Sequence, residues 1–498
     1  MKTVTVRLEP LGKEIHTQKT TPLIDILHEF GVEFPCGGKG TCGKCTVRLL
    51  EGTIEPNNFH KKKLTSLNLP SDWRLACQST CESDIVIEVG QFENIIQADE
   101  TTFEFEPGDG LGVAVDLGTT TLVTQLLDLH TAKVLGVETA LNPQGKYGSD
   151  LISRLASGLS NGTTDLREMI REAIGKMVGQ MMEDRNEALE RIVIVGNTVM
   201  QHFFCGSDIK PLSFYPFEST DLGLRRFTSA QLGWRIPCNE ISFYPSIGSF
   251  VGSDILAGIL STGMHQREEI SVLIDLGTNG EIVVGNKDQL LCASTAAGPA
   301  FEGARISMGM LATTGAISSI EKGSEEWDCR VIGNVEPAGI CGSGLIDAVW
   351  VLLEGGFLGE YGEILSGAQE IPLAGPVVLT QKDIQEFQLA KAAIAAGLEI
   401  LMNRLGLVHE DISSLYIAGA FGNYINLENM RGTGMLRFGT ERMHKLGNTA
   451  LMGAKMLLFS DLTVTESILS VVSHVNLESE PHFQDLYVNH MRFKAGKR

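Results

Sequence analysis

Long apolar runs and an export signal are both missing from this sequence. No apolar stretch approaches the roughly 18–20 residues that a membrane-spanning helix needs. The N-terminal MKTVTVRLEP lacks the apolar core of a secretory signal peptide. These absences exclude the class of membrane-spanning proteins and lead us to expect a cytoplasmic protein.

Positive charge is scarce as well. Forty Lys and Arg residues stand against 61 Asp and Glu residues, which gives a formal net charge of −21. Nucleic acids and anionic membranes attract basic surfaces, so neither is expected as a partner. The 43% hydrophobic and 20% charged residues are ordinary for a globular protein. A chain of 498 residues is too long for one core, so we expect two or three domains.

Ten cysteines are present, and in a reducing compartment they indicate metal ligands or buried thiols rather than disulfides. The five cysteines in the later part of the chain are not spaced as metal ligands usually are. We expect these five to be small buried hydrophobic residues, namely Cys205, Cys238, Cys292, Cys329 and Cys341.

The first ninety residues carry the spacing of an iron–sulfur site. Cys36, Cys42 and Cys45 follow the pattern C-x5-C-x2-C within PCGGKGTCGKC, and Cys77 follows within RLACQ. Four thiolates that converge on two irons hold a [2Fe–2S] cluster, and the loop glycines let backbone amides approach the sulfurs. Predicted strands at 4–10, 46–52 and 84–89 and a helix at 21–31 suit a ferredoxin-like, β-grasp domain over residues 1–90.

One alternative for these cysteines is a zinc site. Cys42, Cys45, Cys77 and Cys81 would supply C-x2-C and C-x3-C pairs. This set leaves Cys36 unexplained. Cys81 is then either a residue outside the cluster or a substitute for Cys77.

Residues 91–110 are predicted to be a linker. QFENIIQADETTFEFEPGDG contains acidic residues but no Lys or Arg, and it ends in a Pro-Gly-Asp-Gly turn. Such a segment is either a tether that lets the first domain reach different partners or a passive connection.

The rest of the chain contains an internal repeat. LGVAVDLGTTTLVTQLLDL (111–129) and ISVLIDLGTNGEIVVGNKDQL (270–290) both predict a strand, a D-L-G-T turn and a second strand, with Asp116 and Asp275 at matching positions. Each half continues with a long helix, near 165–186 and 381–405, and with a strand that leads to a glycine turn, RIVIVGNT (191–198) and SSLYIAGAFGN (413–423). The repeat predicts two similar α/β lobes, 111–265 and 266–498, around a cleft.

This arrangement resembles the superfamily of actin, Hsp70 and sugar kinases. The resemblance implies that the two turns face each other and bind the phosphates of ATP, while Asp116 and Asp275 hold Mg²⁺ or its waters. The implied phosphate-binding residues are Gly118, Thr119, Thr120, Thr121, Gly277, Thr278, Asn279 and Gly280. The implied adenosine turn contains Gly419, Ala420 and Gly422.

Three further features keep two interpretations each. Glu281 either positions a water for attack on the γ-phosphate or is a carboxylate at a strand edge. The glycine-rich AGICGSGLID (338–347) either contacts the ligand or forms a tight entry to a helix. His202, in the apolar stretch VGNTVMQHFF, is expected to be a hydrogen-bonded core histidine rather than a metal ligand.

Taken together, the motifs resemble the reductive activators of corrinoid proteins. The similar stretches extend over nearly the whole chain and include DLGTTT, LNPQGKYGSDLISR, IGSFVGSDILAGIL, IDLGTNGEI, GICGSGLID, IAGAFGN and GNTALMGA. The resemblance implies an ATP-hydrolysing enzyme that passes one electron from a [2Fe–2S] cluster to Co(II) and regenerates Co(I). It implies two partners, a corrinoid protein of a methyltransferase system and an upstream electron donor.

One departure from that family is expected, and other functions stay open. The better-known members carry a middle domain between the ferredoxin module and the ATPase, and residues 90–115 are too few for one. The chain could also be a small-molecule kinase with a fused ferredoxin as redox sensor, or an electron carrier whose ATPase lobes only regulate docking. An activator of another low-potential metalloenzyme is the remaining alternative.

Overall fold

The structure is a computed structural model. It describes residues 3–9, 13–27, 40, 45–56, 58–66, 69–88, 105–148, 150–183, 185–277, 279–295, 297, 299–302, 305–310, 312, 315–323, 327–419 and 425–493. Within these ranges, no helix combines the length and the apolar character that crossing a membrane requires.

The N-terminal domain is a five-stranded mixed sheet with strand order β2-β1-β5-β3-β4. Its elements are β1 Thr3–Glu9, β2 Lys13–Gln18, α1 Leu23–Leu27, β3 Thr46–Glu51, α2 Asn58–Ser66, β4 Trp73–Leu75 and β5 Ile85–Glu88. The three predicted strands and the predicted helix are present. Strand β2 was not predicted, because its residues alternate between half-buried and exposed while Ile15 alone among them is apolar, so the sequence shows no apolar alternation.

We call residues 111–265 the first lobe. Its elements are β6 Leu111–Leu117, β7 Thr121–Asp128, β8 Val134–Leu141, α3 Leu151–Asn161, α4 Thr164–Met182, β9 Leu189–Gly196, α5 Thr198–Cys205, α6 Lys210–Ser213, β10 Arg225–Phe227, α7 Ser229–Leu232, β11 Glu240–Phe243 and α8 Ser253–Thr262. The helix predicted near 165–186 is α4, which buries Leu166, Ile170 and Ile174 along one face at helical spacing.

We call residues 266–498 the second lobe. Its elements are β12 Ser271–Leu276, β13 Gly280–Gly285, β14 Leu290–Thr295, β15 Ala316–Lys322, β16 Trp327–Val331, β17 Gly339–Ile340, α9 Gly342–Glu354, β18 Glu370–Ala374, β19 Val377–Thr380, α10 Gln381–Arg404, β20 Ser414–Ala418, α11 Leu427–Gly432, β21 Met443–Gly447, α12 Thr449–Leu458, α13 Leu462–Val471, β22 Val472–His474 and α14 Phe483–Met491. The second predicted long helix is α10, and Thr380 with Asp383 forms a reciprocal cap at its start.

Both lobes contain the same sheet. The strands run in the order β8-β7-β6-β9-β11 in the first lobe and β14-β13-β12-β20-β21 in the second, with one further edge strand in each. In both, three antiparallel strands are followed by two strands parallel to the first. The duplicated α/β architecture predicted from the repeat is therefore confirmed, as is the ferredoxin-like domain before it.

The two lobes meet through a pair of closely packed helices. Helix α8 of the first lobe crosses α12 of the second at Gly453, where a Cβ atom would lie only 2.1 Å from the carbonyl oxygen of Ala257. Only glycine allows backbones to approach this closely. The crossing fixes the lobes against each other next to the cleft.

The N-terminal domain and the end of the predicted linker contact the lobes. Lys13 on β2 forms an ion pair with Glu138 on β8. Of residues 91–110, the structure describes 105–110, and there the ring of Phe105 lies 4.9 Å from that of Phe459. The end of the predicted tether is thus packed against the second lobe, while the rest of it lies outside the described residues.

Candidate functional site

The first predicted phosphate turn lies between β6 and β7. A Cβ atom on Gly118 would be 2.6 Å from the carbonyl oxygen of Thr121, so the turn needs glycine there. Asn142 stabilises the turn through two hydrogen bonds. Its Nδ2 donates to the carbonyl of Gly118 at 2.9 Å, and its backbone N–H donates to the carbonyl of Thr120 at 2.8 Å. The Thr119 hydroxyl accepts a hydrogen bond from Asn197 at 3.0 Å. These hydrogen bonds within the protein fix the shape of the turn.

The second turn lies between β12 and β13. The N–H of Gly277 donates to the carbonyl of Asn279 at 3.0 Å. Gly280 is the first residue of β13, and a Cβ atom on it would be 2.9 Å from the hydroxyl of Thr295. Gly280 therefore contributes close packing at the base of the turn. Thr278 lies outside the described residues.

Two further glycines occupy equivalent positions beside these turns. A Cβ on Gly196, at the end of β9, would lie 2.6 Å from the Leu117 carbonyl oxygen. A Cβ on Gly419, just after β20, would lie 2.3 Å from the Leu276 carbonyl oxygen. Gly419 thus begins the predicted adenosine turn beside the second phosphate turn, whereas Ala420 and Gly422 lie outside the described residues.

Four carboxylates converge between the lobes. Asp116 and Asp275 sit near the ends of β6 and β12, and Glu281 is the cross-strand partner of Asp275 on β13. Asp254, the second residue of α8, joins them. Each side chain keeps part of its surface open. Glu281 is half-buried on β13, which has a paired strand on each side, and its carboxylate accepts a hydrogen bond from Ser294 at 3.0 Å.

Burial raises the pKa values of these four carboxyl groups, and mutual repulsion adds to the effect in three of them. Burial raises the pKa of Asp116 to about 6. Burial, and then the neighbouring Asp116, raise the pKa of Asp275 to about 7. Burial, and then Asp275, raise the pKa of Asp254 to about 8. Burial, followed by Asp254 and Asp275, raises the pKa of Glu281 well above its ordinary value. Among the described residues, no Lys or Arg is a cause of these pKa shifts. Uncompensated negative charge is the electrostatic condition that favours a bound cation.

The carboxylates do not form a ready metal cage in this arrangement. Across the described ranges, no three His, Cys, Asp or Glu side chains are close enough to hold one metal ion directly. Mg²⁺ commonly keeps several of its waters and is bound through one or two carboxylates plus phosphate oxygens. The donor set therefore fits a hydrated Mg²⁺ that arrives with a nucleotide.

Sequence analysis missed Asp254 and two asparagines. Asn197 and Asn448 each follow a strand and a glycine and cap the next helix. The Asn448 amide donates to the Asp116 carboxylate at 2.8 Å. The sequence does contain a signal for the two asparagines, because the tripeptide G-N-T occurs at 196–198 and again at 447–449. Asp254 has no such signal, since one acidic residue at a helix start is common.

The described part of the cysteine site is compact. The backbone N–H of Ala76 donates to the carbonyl of Cys45 at 2.8 Å, which brings the segments of Cys45 and Cys77 together. Cys36 and Cys42 lie outside the described residues. Cys81 is fully buried, and burial raises the pKa of its thiol to about 12.

The contacts of the remaining candidates, His202, the AGICGSG segment and the later cysteines, are those of residues that maintain the fold. The two ring nitrogens of His202 lie 2.8 Å from the Asp208 carbonyl and 3.1 Å from the Ser219 hydroxyl, as a hydrogen-bonded core histidine requires. Gly344, in AGICGSG, would place a Cβ 2.1 Å from the Ile317 carbonyl oxygen, which favours a tight helix entry. The five later cysteines are buried or half-buried, and burial raises the pKa of each thiol.

Comparison with known proteins assigns each part of the chain. A family model for the 2Fe-2S iron–sulfur cluster binding domain matches residues 6–82. A model for the RACo middle region matches 111–267, and a model for the C-terminal domain of RACo, the ASKHA domain, matches 269–497. The expectation of a missing middle domain is therefore wrong. The matched middle region is the first lobe, which sequence analysis assigned to the ATPase because it repeats the second lobe.

Similar proteins extend over most of the chain. The corrinoid activation enzyme RamQ of Eubacterium limosum is 28% identical, over 97% of this chain and 98% of its own length. A [Co(II) methylated amine-specific corrinoid protein] reductase of Methanosarcina barkeri is 29% identical over 76% of each chain. The solved structure of a reductive activator for corrinoid, iron–sulfur protein matches with a TM-score of 0.70 and 27% identity over 99% of each chain.

These matches agree with one another and with the fold. A ferredoxin-type model and two RACo models match consecutive parts of one chain, and one solved structure matches that chain from end to end. The protein belongs to the RACo-like family of reductive activators for corrinoid proteins.

Proposed function

We propose that this protein uses ATP to pass one electron from a [2Fe–2S] cluster to the Co(II) form of a corrinoid protein, which regenerates Co(I). The observation that carries the proposal is the convergence of Asp116 and Asp275 at equivalent strand ends of two lobes that share a chain with a ferredoxin domain. The relatives named for corrinoid activation and reduction support the substrate class.

The proposed cluster ligands are Cys36, Cys42, Cys45 and Cys77. The cluster supplies a one-electron carrier, and the reducing cytoplasm keeps the thiols free of disulfides. An upstream electron donor must reload the cluster after each transfer. We propose the domain division 1–90, 91–110, 111–265 and 266–498 for these tasks.

The proposed nucleotide site lies between the two D-L-G-T turns. Backbone amides and hydroxyls of residues 118–121 and 277–280 bind the phosphates, and residues 419–422 bind adenosine. Asp116, Asp254 and Asp275 would hold the waters of Mg²⁺, and Glu281 would orient the attacking water. The cation would supply the positive charge that stabilises these carboxyls in their ionised form.

Nucleotide can drive the electron transfer only by binding one conformation more tightly than another. Two lobes joined at a helix crossing provide such a two-state element. For a one-electron step, each shift of about 59 mV changes the equilibrium constant tenfold. Nucleotide binding and hydrolysis therefore change the relative position of the lobes. This change favours a complex with the corrinoid protein in which electron transfer is favourable.

The test reconstitutes the protein with iron and sulfide under anaerobic conditions. The reduced protein is mixed with a Co(II) corrinoid protein, and the absorbance of Co(I) is followed with Mg–ATP, with Mg–ADP and without nucleotide. We expect Co(I) to accumulate with Mg–ATP alone. Equal Co(I) formation under all three conditions would reject the ATP-dependent function and favour a simple electron carrier.

Two variants separate the modules in the same assay. Cys77→Ser should lose or alter the cluster spectrum and keep ATP hydrolysis, because the ligand lies in the N-terminal domain. Asp275→Asn should keep the cluster spectrum and lower ATP hydrolysis at least about 100-fold, as expected when a transition-state electrostatic partner is removed. If either variant lost both properties while it remained folded, the division of labour would be wrong. Phosphorylation of a metabolite, regardless of cluster state, would point to a kinase instead.

A further inference from the structure

Asn448 joins the two lobes at the candidate site through opposite ends of its side chain. Its Oδ1 accepts the backbone N–H of Leu451 at 2.8 Å and so caps α12 within the second lobe. Its Nδ2 donates to Oδ2 of Asp116, in the first lobe, at 2.8 Å. The residue therefore has a task beyond the helix cap, which needs only the oxygen.

Helix α12 belongs to the second lobe but lies along the first. Its start is at Asp116, at the end of β6. Its last residue, Leu458, contacts Gly112 near the start of β6 and accepts a hydrogen bond from Arg191 at 3.0 Å. The helix thus runs antiparallel to β6, and the tight crossing at Gly453 holds it there. Asn448 directly follows β21 of the second lobe, so it stands where the chain passes from that lobe's sheet to a helix packed on β6 of the first lobe.

The repeat supplies a comparison within the molecule. Asn197 caps α5 with its Oδ1 at 3.0 Å from the N–H of Met200, and its Nδ2 donates to Thr119 at 3.0 Å. Both of those contacts stay within the first lobe. The duplicated G-N-T motif has therefore kept the cap in both lobes, and the amide of Asn448 is the one that reaches a charged group across the cleft.

This contact has a consequence for Asp116. The amide donor holds Oδ2 of Asp116 in a fixed position at 2.8 Å. It engages one carboxylate oxygen and leaves the other for the cation or its waters. We propose that Asn448 is a positioning residue, which orients Asp116 only while the lobes hold this arrangement and so couples lobe position to ATP hydrolysis. This inference rests on the proposed ATPase function.

The test removes the amide and keeps the cap. Asn448→Ser retains an oxygen that can cap α12 but has no donor that reaches Asp116. We expect kcat for Mg–ATP hydrolysis to fall about tenfold or more, the size of one charge-assisted hydrogen bond, while KM changes less than about threefold. Thermal unfolding and the cluster spectrum are measured on the same sample to show that the fold is kept.

Asn476→Ser is the matched control. Asn476 also caps a short helix, and its Nδ2 also crosses between the lobes, to the carbonyl of Pro216 at 3.2 Å, but it touches no carboxylate of the site. This variant should keep kcat within about twofold. An equal loss of kcat in both variants would show that any cross-lobe hydrogen bond suffices, and would overturn the positioning role.

A second variant guards against misfolding. Asn448→Asp has nearly the same shape and keeps the cap, but it places a carboxylate against Asp116, so kcat should fall further than in Asn448→Ser. Wild-type kcat in either variant would overturn the inference and leave the proposed function intact. Absence of ATP hydrolysis in the wild-type protein, assayed with its cluster and a Co(II) corrinoid protein, would overturn both.

Discussion

At the scale of single residues, Lys455 is a buried cation on α12. Its exposed fraction is 2%, and burial lowers its pKa from 10.5 to about 8. Within the described ranges, no acidic side chain forms an ion pair with it. Below pH 8 the folded protein therefore holds a charge in a poorly solvated place, which costs on the order of 3 kcal/mol of stability.

Lys455→Met is expected to raise the free energy of unfolding at pH 7 by about 1–3 kcal/mol. The unfolded chain binds more protons at Lys455 between pH 8 and 10.5, so wild-type stability gains from this group as pH rises through that window. The stability of the Lys455→Met variant should not rise with pH in this way. Denaturant unfolding at several pH values measures the free energy of unfolding of both proteins. Lys382→Met, at an exposed position on α10, is the control and should change stability by less than about 0.5 kcal/mol.

Some residues of the candidate site can be predicted from their immediate neighbours in the sequence. Asp116 and Asp275 were predicted because each ends a strand and precedes a glycine turn, and this pattern is local. Glu281 kept two interpretations, because a sequence does not show which face of β13 meets the cleft. In the structure Glu281 is the cross-strand partner of Asp275, and its role toward water stays a prediction.

At the scale of elements, the crossing of α8 and α12 is a tightly constrained contact. A methyl group on Gly453 would meet the backbone of Ala257, which cannot move aside as a flexible side chain can. Gly453→Ala should therefore lower the free energy of unfolding by about 1–3 kcal/mol, the usual cost of overpacking, and should weaken ATP hydrolysis by parting the lobes.

Thermal unfolding and ATP turnover measure the two effects. Gly223→Ala is the matched control, because a Cβ there meets no atom within 4 Å and the backbone is compatible with alanine. It should unfold as the wild type does. An unchanged melting temperature for Gly453→Ala would mean that the helices tolerate separation and that the crossing does not fix the lobes.

At the scale of the whole molecule, the ferredoxin domain is docked rather than free in this structure. Lys13 pairs with Glu138 of the first lobe, and α1 lies near residues 332–334 of the second. The domain thus touches both lobes. A change in their relative position must alter at least one of these contacts, which gives nucleotide a route to the electron carrier.

Lys13→Glu should weaken this docking, because it places two carboxylates together in place of an ion pair. The pair is half-buried and still accessible to solvent, so it contributes on the order of 1 kcal/mol. Its reversal adds repulsion, so we expect a larger radius of gyration by small-angle scattering at low salt. Lys19→Glu is the control, since Lys19 pairs with Glu82 inside the same domain. Equal scattering curves for wild type and Lys13→Glu would contradict the docking contact.

The amino-acid sequence by itself determined the cysteine spacing, the two D-L-G-T turns, the long capped helix α10 and the duplicated order of strands. These are local or periodic features, and short-range physics specifies them. Only the tertiary structure decided that Asp254 and Asn448 join the cleft. Both side chains stand at helix starts far along the chain from Asp116, so their approach depends on how α8 packs on α12.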